Sequence, residues 1–212
     1  MLNGEIGVPL RPRGVVVFPR IGTSRIDACS HRVRQELQQD GFATVVVDLL
    51  LRGGESSGAR ARSERAGPEL LGNRLAIVTD WARRNPAIRL LPIGYFGATS
   101  AMASVLVAAV RRADLVRGIV LCSGHAACPS RVLQSVRAPT LFIVGEYDTQ
   151  LIKSTQAARR KLEVTSALEI VPGATRFLEE PSAGQAVSDL ARNWFSGFLK
   201  GSALAWGTLA RW

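Results

Sequence analysis

The stretch of sequence that decides the fold runs from Leu90 to Val110 and reads L-L-P-I-G-Y-F-G-A-T-S-A-M-A-S-V-L-V-A-A-V. It begins with an apolar run that continues through Phe96, and such runs are typical of strands buried on both faces of a parallel sheet. Small residues follow at 97–101, and an alanine-rich apolar run that favours a helix comes directly after them. The stretch therefore predicts a strand, a sharp turn and a helix in immediate succession.

The turn at 97–101 has the residue types of a nucleophile elbow. In such a turn the middle residue is held in a strained backbone conformation, so its side chain stands above the carboxyl edge of the sheet. Small neighbours are required because the strand and the helix pass close together there. Thr99 occupies the middle of this turn and Ser100 follows it. Both hydroxyls are therefore candidate nucleophiles.

Three segments together resemble small bacterial α/β-hydrolases of the dienelactone-hydrolase-like group. They are V-V-V-F at 15–18, G-Y-F-G-A-T-S-A at 94–101 and V-P-G-A-T-R-F-L-E-E-P at 171–181. The resemblance covers nearly the whole chain, from about Leu2 to Leu199. It implies an α/β-hydrolase fold, which is a doubly wound, mostly parallel sheet with helices on both faces.

The resemblance also shows where the family's catalytic triad is altered. Family members usually read G-A-S-T-G at the elbow and carry the catalytic histidine in P-G-A-T-H, so Thr99 stands for the serine and Arg176 for the histidine. Only the acid is retained, because V-G-E-Y-D ending at Asp148 matches the family's V-G-x-x-D. Arginine cannot act as a general base because it stays protonated at any working pH. The resemblance thus implies a hydrolase frame without a hydrolase triad.

A second departure affects the segment that holds the oxyanion in the family. Members place H-G-S-G-S after the first central strand, whereas this chain has P-R-I-G-T-S at 19–24. Proline has no amide hydrogen, and Ile21 lacks the conformational freedom of glycine. We therefore expect an altered oxyanion hole around Arg20 and Ile21.

These residues leave three hypotheses for the site. In the first, Arg176 pairs with Asp148 and plugs the former pocket, because a guanidinium can fork both oxygens of a carboxylate. In the second, Arg20, Arg176 and the free amides of the elbow helix bind a small carboxylate or phosphate ester, or the degenerate fold binds a protein partner. A relic pocket without a ligand is the alternative. In the third, Ser100, His125 and Asp148 form a rearranged triad and the protein is a weak esterase.

The rest of the chain alternates predicted strands and helices. The segment Leu2–Pro9 is interpreted as half of a hairpin, and Gly41 as the residue that ends the first helix. Predicted strands cover 14–18, 43–51, 116–122, 140–145 and 167–170, and predicted helices cover 25–40, 68–85, 151–162 and 183–199. The apolar face of the second helix is expected to include Trp81. Such alternation predicts a parallel sheet with right-handed crossovers.

Length and composition predict one domain over 1–200. The chain has 212 residues, of which 47% are hydrophobic. The segment 52–67, rich in Gly, Ser and charge, is interpreted as a mobile loop, either a lid or a surface excursion. The tail at 201–212 offers Leu204, Trp206, Leu209 and Trp212 for docking on this chain or on a second copy as a homodimer. No signal peptide or membrane-spanning run is evident, so a cytoplasmic location is expected.

Charge and cysteine usage favour no special partner. The net charge of +10 raises nucleic acid as a partner, but the basic residues are scattered, which favours a solvated surface and makes nucleic acid the least favoured alternative. Cys29, Cys122 and Cys128 lack metal-binding spacing and form no disulfide framework, and His31 is interpreted as a surface or capping histidine. Neither a metal nor a cofactor is expected.

Overall fold

Seven strands form one sheet in the computed structural model of the chain, which describes residues 2–22, 27–50, 66–124 and 128–199. The strands are β1 (Asn3–Gly7), β2 (Gly14–Arg20), β3 (Phe42–Asp48), β4 (Ile93–Ala98), β5 (Val116–Cys122), β6 (Thr140–Gly145) and β7 (Ser166–Val171). Their order across the sheet is β1-β3-β2-β4-β5-β6-β7. Only β1 runs antiparallel to its neighbour, and the other pairs are parallel. The predicted fold class is therefore confirmed.

Helices cover both faces of this sheet. They are α1 (Asp27–Gln39), α2 (Pro68–Ala82), α3 (Met102–Arg111), α4 (Ser130–Ser135), α5 (Thr149–Arg159) and α6 (Pro181–Phe198). Alternate residues of β2 point to opposite faces: Val15 packs in one apolar cluster with α2 and α3, and Val16 in another with α1 and α6. We call these two sides the α2/α3 face and the α1/α6 face. No helix in the described ranges is long and apolar enough to span a membrane.

Strand β2 is longer than its sequence pattern predicts. It continues through Pro19 and Arg20, which pair with Val47 and Asp48 of β3, whereas the sequence places both residues in the following loop. Proline is tolerated because β2 pairs with β4 only over 15–17. The backbone nitrogens of successive residues in β2 point alternately towards β3 and towards β4. The nitrogen of Pro19 points to the β4 side, beyond the last residue that pairs with β4, so no hydrogen bond of the sheet is lost.

The first strand is also placed differently from its prediction. Leu2–Pro9 was expected to be half of a hairpin, but β1 pairs with β3 and not with the strand that follows it in sequence. Pairing with β3 puts β1 at the edge of the sheet, and all but the last of its five residues are exposed.

Two helices depart from their sequence patterns. Trp81, predicted on the apolar face of α2, is 41% exposed and lines a surface groove with Ile6 and Ile77 of the described residues. The helix α4 was not predicted, because six residues are fewer than two turns and carry no readable period. The mobile-loop prediction, apart from positions 66 and 67, and the tail prediction lie outside the described residues.

Candidate functional site

The apex of the elbow has the strained backbone that the sequence predicts. Strand β4 ends at Ala98, a short 3-10 turn covers Thr99–Ala101, and α3 begins at Met102. The φ angle of Thr99 is +46°, which lies in the left-handed region. A β-branched residue rarely adopts that region, and the cost is of order 1 kcal/mol or more. The turn therefore has the strained backbone that is typical of a nucleophile elbow.

Glycines let neighbouring backbone approach this apex. A Cβ added to Gly97 would lie 2.8 Å from Val105 Cγ2 of α3. A Cβ added to Gly124, just after β5, would lie 2.7 Å from Thr99 Cα and 2.5 Å from Met102 Sδ. Real Cβ atoms do not approach backbone so closely. The end of β5 therefore presses directly against the apex.

Asp148 and Arg176 lie together at the carboxyl edge, as the first hypothesis predicts. Arg176 Nε is 3.2 Å from Asp148 Oδ2, and the Asp148 side chain is 12% exposed. The contact is an ion pair without the direction of a hydrogen bond, because Oδ2 has no hydrogen-bond partner. Oδ1 accepts a hydrogen bond from Leu151 N at 3.1 Å and so caps α5. The ion pair is confirmed, but the predicted fork to both oxygens is not formed.

The loop that carries Arg176 is held by acidic side chains that sequence reasoning missed. Gly173 N donates to Glu146 Oε2 at 2.7 Å, and Thr175 N donates to Glu180 Oε1 at 2.9 Å. Hydrogen bonds from Thr175 lower the pKa of Glu180. The available signal was the presence of acidic residues before and after a Pro-Gly turn. These bonds hold two backbone amides of the loop just before position 176.

Two cavities flank the elbow, and Thr99 and Ser100 line both. The first, of about 210 Å³, we call the β2-side cavity. It is lined by the elbow and by Phe18, Pro19, Arg20, Ile21, His31 and Arg34, among others. The second, of about 450 Å³, we call the β5-side cavity, and its lining includes Ser123, Gly124, Arg176 and Phe177. The two residues of the elbow therefore border cavities on both sides of β4.

The two arginines of the second hypothesis do not meet in one cavity. Arg20 and Ile21 lie in the β2-side cavity, whereas Arg176 lies in the β5-side cavity. The cause is the strand order: β2 lies on one side of β4, whereas β5, β6 and β7 lie on the other, so Arg20 at the end of β2 and Arg176 after β7 stand on opposite sides of the elbow. His125 lies outside the described residues, and the rearranged triad therefore stays a prediction.

The cationic groups near the elbow differ in how far they are neutralised. Arg176 lies beside Asp148, and Arg34 forms an ion pair with Glu5 at 3.1 Å. Arg20 is exposed, and no carboxylate of the described residues lies at ion-pair distance from it. His31 is exposed, as predicted, but it also lines the β2-side cavity, which the sequence did not indicate.

Comparison with solved structures decides the family. No family model matches the chain. The chain is 38% identical to a dienelactone hydrolase from Anabaena variabilis, with a TM-score of 0.86 over 94% of this chain and 93% of that one. The chain belongs to the dienelactone-hydrolase-like family of α/β-hydrolases.

Two further relatives place this family member in context. A Mycobacterium tuberculosis protein provisionally named as a phosphoribosyl transferase is 39% identical over 199 residues. The match covers 93% of this chain but only 44% of that protein, so the chain spans less than half the length of this curated relative. A Butyrivibrio proteoclasticus protein solved with ferulic acid bound has a TM-score of 0.73 at 16% identity, covering 92% of this chain and 96% of that one. This likeness shows the fold alone.

Among the described residues, no group of three or more His, Cys, Asp or Glu side chains is placed to hold a metal ion.

Proposed function

We propose that this family member is not a competent hydrolase and that it binds a small anion, a carboxylate or a phosphate ester, in the β2-side cavity. The observation that carries the proposal is the position of Arg20. Arg20 lines the cavity together with Thr99, Ser100 and Glu5, and no carboxylate of the described residues lies at ion-pair distance from it; Glu5 pairs with Arg34 instead. Arg176 takes the secondary role, because its charge is offset by Asp148.

Loss of hydrolysis follows from the chemistry of the replaced base. A Ser or Thr hydroxyl attacks an ester only when a neighbouring base removes its proton. Position 176 carries a permanent cation beside the acid, 3.2 Å from Asp148 Oδ2. In a triad that acts as a unit, loss of the base lowers turnover on the order of 10⁶-fold. The ion pair supports this part of the proposal.

The surroundings of Arg20 suit an anion with an apolar body. Phe18 and Phe96 line the β2-side cavity, and their ring centroids are 5.1 Å apart. The free amides at the start of the elbow helix carry a partial positive charge. Arg34 adds a cation that Glu5 partly offsets. An anionic group beside Arg20 with its carbon skeleton over the phenylalanines would therefore be stabilised from both sides.

The test is a calorimetric titration with two probes, inorganic phosphate and benzoate, at constant ionic strength. We expect Arg20→Gln to weaken binding of the preferred probe at least about 10-fold, which corresponds to about 1.4 kcal/mol. Arg117→Gln is the matched control, because it removes the same charge from an exposed position on β5 that lines neither cavity. Equal losses in the two variants, or no binding of either probe, would contradict the proposal.

A second candidate is the rearranged esterase, which one observation favours: Ser100 is exposed and lines both cavities. Here Ser100 would be the nucleophile, His125 the base and Asp148 the orienting acid. Hydrolysis of a short-chain aryl ester that is lost in Ser100→Ala and His125→Ala, but kept in Thr99→Val, would establish it. We do not assign the activity in the name of the mycobacterial relative to this chain, because the chain spans less than half of that protein.

A further inference from the structure

The surface groove that holds Trp81 has apolar walls and a volume of about 670 Å³. It lies between β1, β3 and α2, and we call it the β1-side groove. Three of its side chains are exposed, Ile6 by 41%, Ile77 by 58% and Trp81 by 41%. Neighbouring exposed apolar side chains of this size are typical of a surface that another segment or molecule covers. The apolar lining of the groove includes Ile6, Val45, Val47, Ile77, Val78 and Trp81.

One wall of the groove is an edge strand. Within the described residues, β1 pairs with β3 and with no other strand. Its outer side therefore carries backbone N–H and C=O groups that are open to pairing with another chain, and natural proteins commonly cover such an edge with a helix or a loop. A segment that lies in the β1-side groove would run along this edge.

The exposed end of the groove lies toward the amino edge of the sheet, where the parallel strands begin. Because β1 is antiparallel to β3, Ile6 near the end of β1 pairs with Val45, close to the start of β3. Trp81 is in the last turn of α2, which leads to the start of β4. Ile6 and Trp81 therefore mark the end of the groove that is nearest to the amino edge.

The described part of the chain ends at the same edge. Leu199 follows α6 and packs against the starts of β2 and β4. A Cβ added to Gly14 would lie 3.1 Å from Leu199 Cβ, and one added to Gly94 would lie 2.9 Å from Leu199 Cδ1. Strand β2 is separated from β1 by β3 alone, which corresponds to about 10 Å across two strand spacings. The residues after Leu199 therefore start close to the groove.

The tail at 201–212, which lies outside the described residues, has the composition and the length to reach the groove. Its large side chains are apolar, and Arg211 is its one charged residue. Trp206 comes seven residues after Leu199, and an extended chain of that length spans about 23 Å. This span exceeds the distance between β2 and β1 and leaves length for the turn from the α1/α6 face to the α2/α3 face.

We propose that the tail at 201–212 docks in the β1-side groove of its own chain, with Trp206 packed against Ile77 and Trp81. A short tether gives the attached segment an effective concentration on the order of millimolar. The tail of the same chain is therefore favoured over the tail of a second copy. Docking covers the apolar side chains of the groove and the open edge of β1. The proposal does not depend on the ligand or the activity of the elbow.

The test is photo-crosslinking in the full chain. The photoreactive residue p-benzoylphenylalanine, which is large and apolar, replaces Trp206, and the irradiated protein is digested with trypsin. We expect peptide 201–211 to be linked to peptide 75–83, which contains Ile77 and Trp81, or to peptide 1–13, which contains Ile6. Irradiation of a mixture of ¹⁵N-labelled and unlabelled protein shows whether a link lies within one chain. We expect links only between peptides with the same label.

Ile77→Asp should lower the yield of this link at least about 5-fold, because docking would bury a carboxylate in an apolar groove. Ile170→Asp is the matched control, because Ile170 is 42% exposed on β7, the strand at the other edge of the sheet. This change should leave the yield unchanged.

Links between labelled and unlabelled chains, links to other peptides, absence of any link, or equal yields in the two variants would overturn the proposal. If Ile77→Asp does not fold, the peptides linked in the chain with isoleucine at position 77 still decide where the tail docks.

Discussion

Arg176 Nε lies 3.2 Å from Asp148 Oδ2, at the carboxyl edge of the sheet. The guanidinium is half exposed, whereas the carboxylate is almost buried and its Oδ2 has no hydrogen bond. Position 176 therefore places a permanent cation beside this carboxylate. The consequences for stability and for chemistry can be separated by substitution.

Removing the guanidinium should lower stability modestly. Arg176→Ala leaves a nearly buried carboxylate without its counter-charge, and we expect a loss of about 1 kcal/mol, since the half-exposed arginine is screened by solvent. Asp148→Asn keeps an acceptor for Leu151 N and should cost less than Asp148→Ala, which also removes the α5 cap, worth about 1 kcal/mol. Urea denaturation measures the free energy of unfolding of all three variants. Equal stability of the two Asp148 variants would disprove the capping role.

Restoring the family residues should restore some hydrolysis. Thr99→Ser with Arg176→His places a serine on the strained apex and an imidazole beside Asp148, so we expect detectable turnover of a short-chain aryl ester. Each single variant should remain inactive because the triad acts as a unit. Turnover should stay low, since Pro19 has no amide hydrogen to donate to the oxyanion. An inactive double variant that keeps its thermal midpoint would place the defect in the segment 19–21 as well.

Glycine at 124 should be required for the position of the elbow. Gly124→Ala brings a Cβ against the backbone of Thr99, which cannot move without displacing the apex, and we expect a loss of about 2 kcal/mol. Gly197→Ala is the matched control, because it lies in α6 with no atom within 4 Å of the added Cβ. That change should raise stability by about 0.5–1 kcal/mol. Chemical denaturation compares the unfolding free energies of the two variants. Equal effects would refute the close approach of Gly124 to the backbone of Thr99.

Asp80 and Arg112 should give the stability an acid-sensitive component. Arg112 Nε and NH2 donate to the two Asp80 oxygens at 2.6 and 2.5 Å, and these bonds lower the pKa of Asp80. The contribution is present above the unfolded pKa of about 3.9 and is lost as pH falls through the lower folded value. Asp80→Asn should cost about 1 kcal/mol at pH 7, after allowance for solvent screening, and almost nothing in acid. Glu69→Gln, which breaks the exposed Glu69–Arg111 pair, should cost less at both pH values.

The buried hydrogen bond between Tyr95 and Thr79 should respond asymmetrically to substitution. Thr79 Oγ1 donates to the Leu75 carbonyl, so it accepts the Tyr95 hydroxyl at 2.5 Å. Tyr95→Phe leaves Thr79 with a partner and should cost about 1 kcal/mol. Thr79→Val leaves the buried Tyr95 hydroxyl without a hydrogen-bond partner and should cost about 2 kcal/mol. The double variant should recover part of that loss, because it removes the unpaired hydroxyl as well. A double-mutant cycle at neutral pH provides the comparison, and additive losses would contradict this account.

The order of elements along the chain could be read from local patterns. Strands β5 and β6 have the bounds that their apolar runs predict, and α1 ends before Gly41, whose φ is +82°. The elbow was predicted because small residues between a strand and a helix permit few other turns. Such signals depend on neighbours in sequence, and so they need no knowledge of the rest of the fold.

The sequence by itself determined the parallel sheet and the strained turn at Thr99, and it places a permanently charged arginine at position 176. Only the tertiary structure decided which side chains come together: that Arg20 and Arg176 stand on opposite sides of the elbow, that His31 lines the β2-side cavity, and that Cys29 and Cys122 are buried in the same apolar cluster. The physical reason is that local spacing sets the direction of a side chain within its own element, whereas its neighbours depend on the order of strands across the sheet and on which helix covers which face.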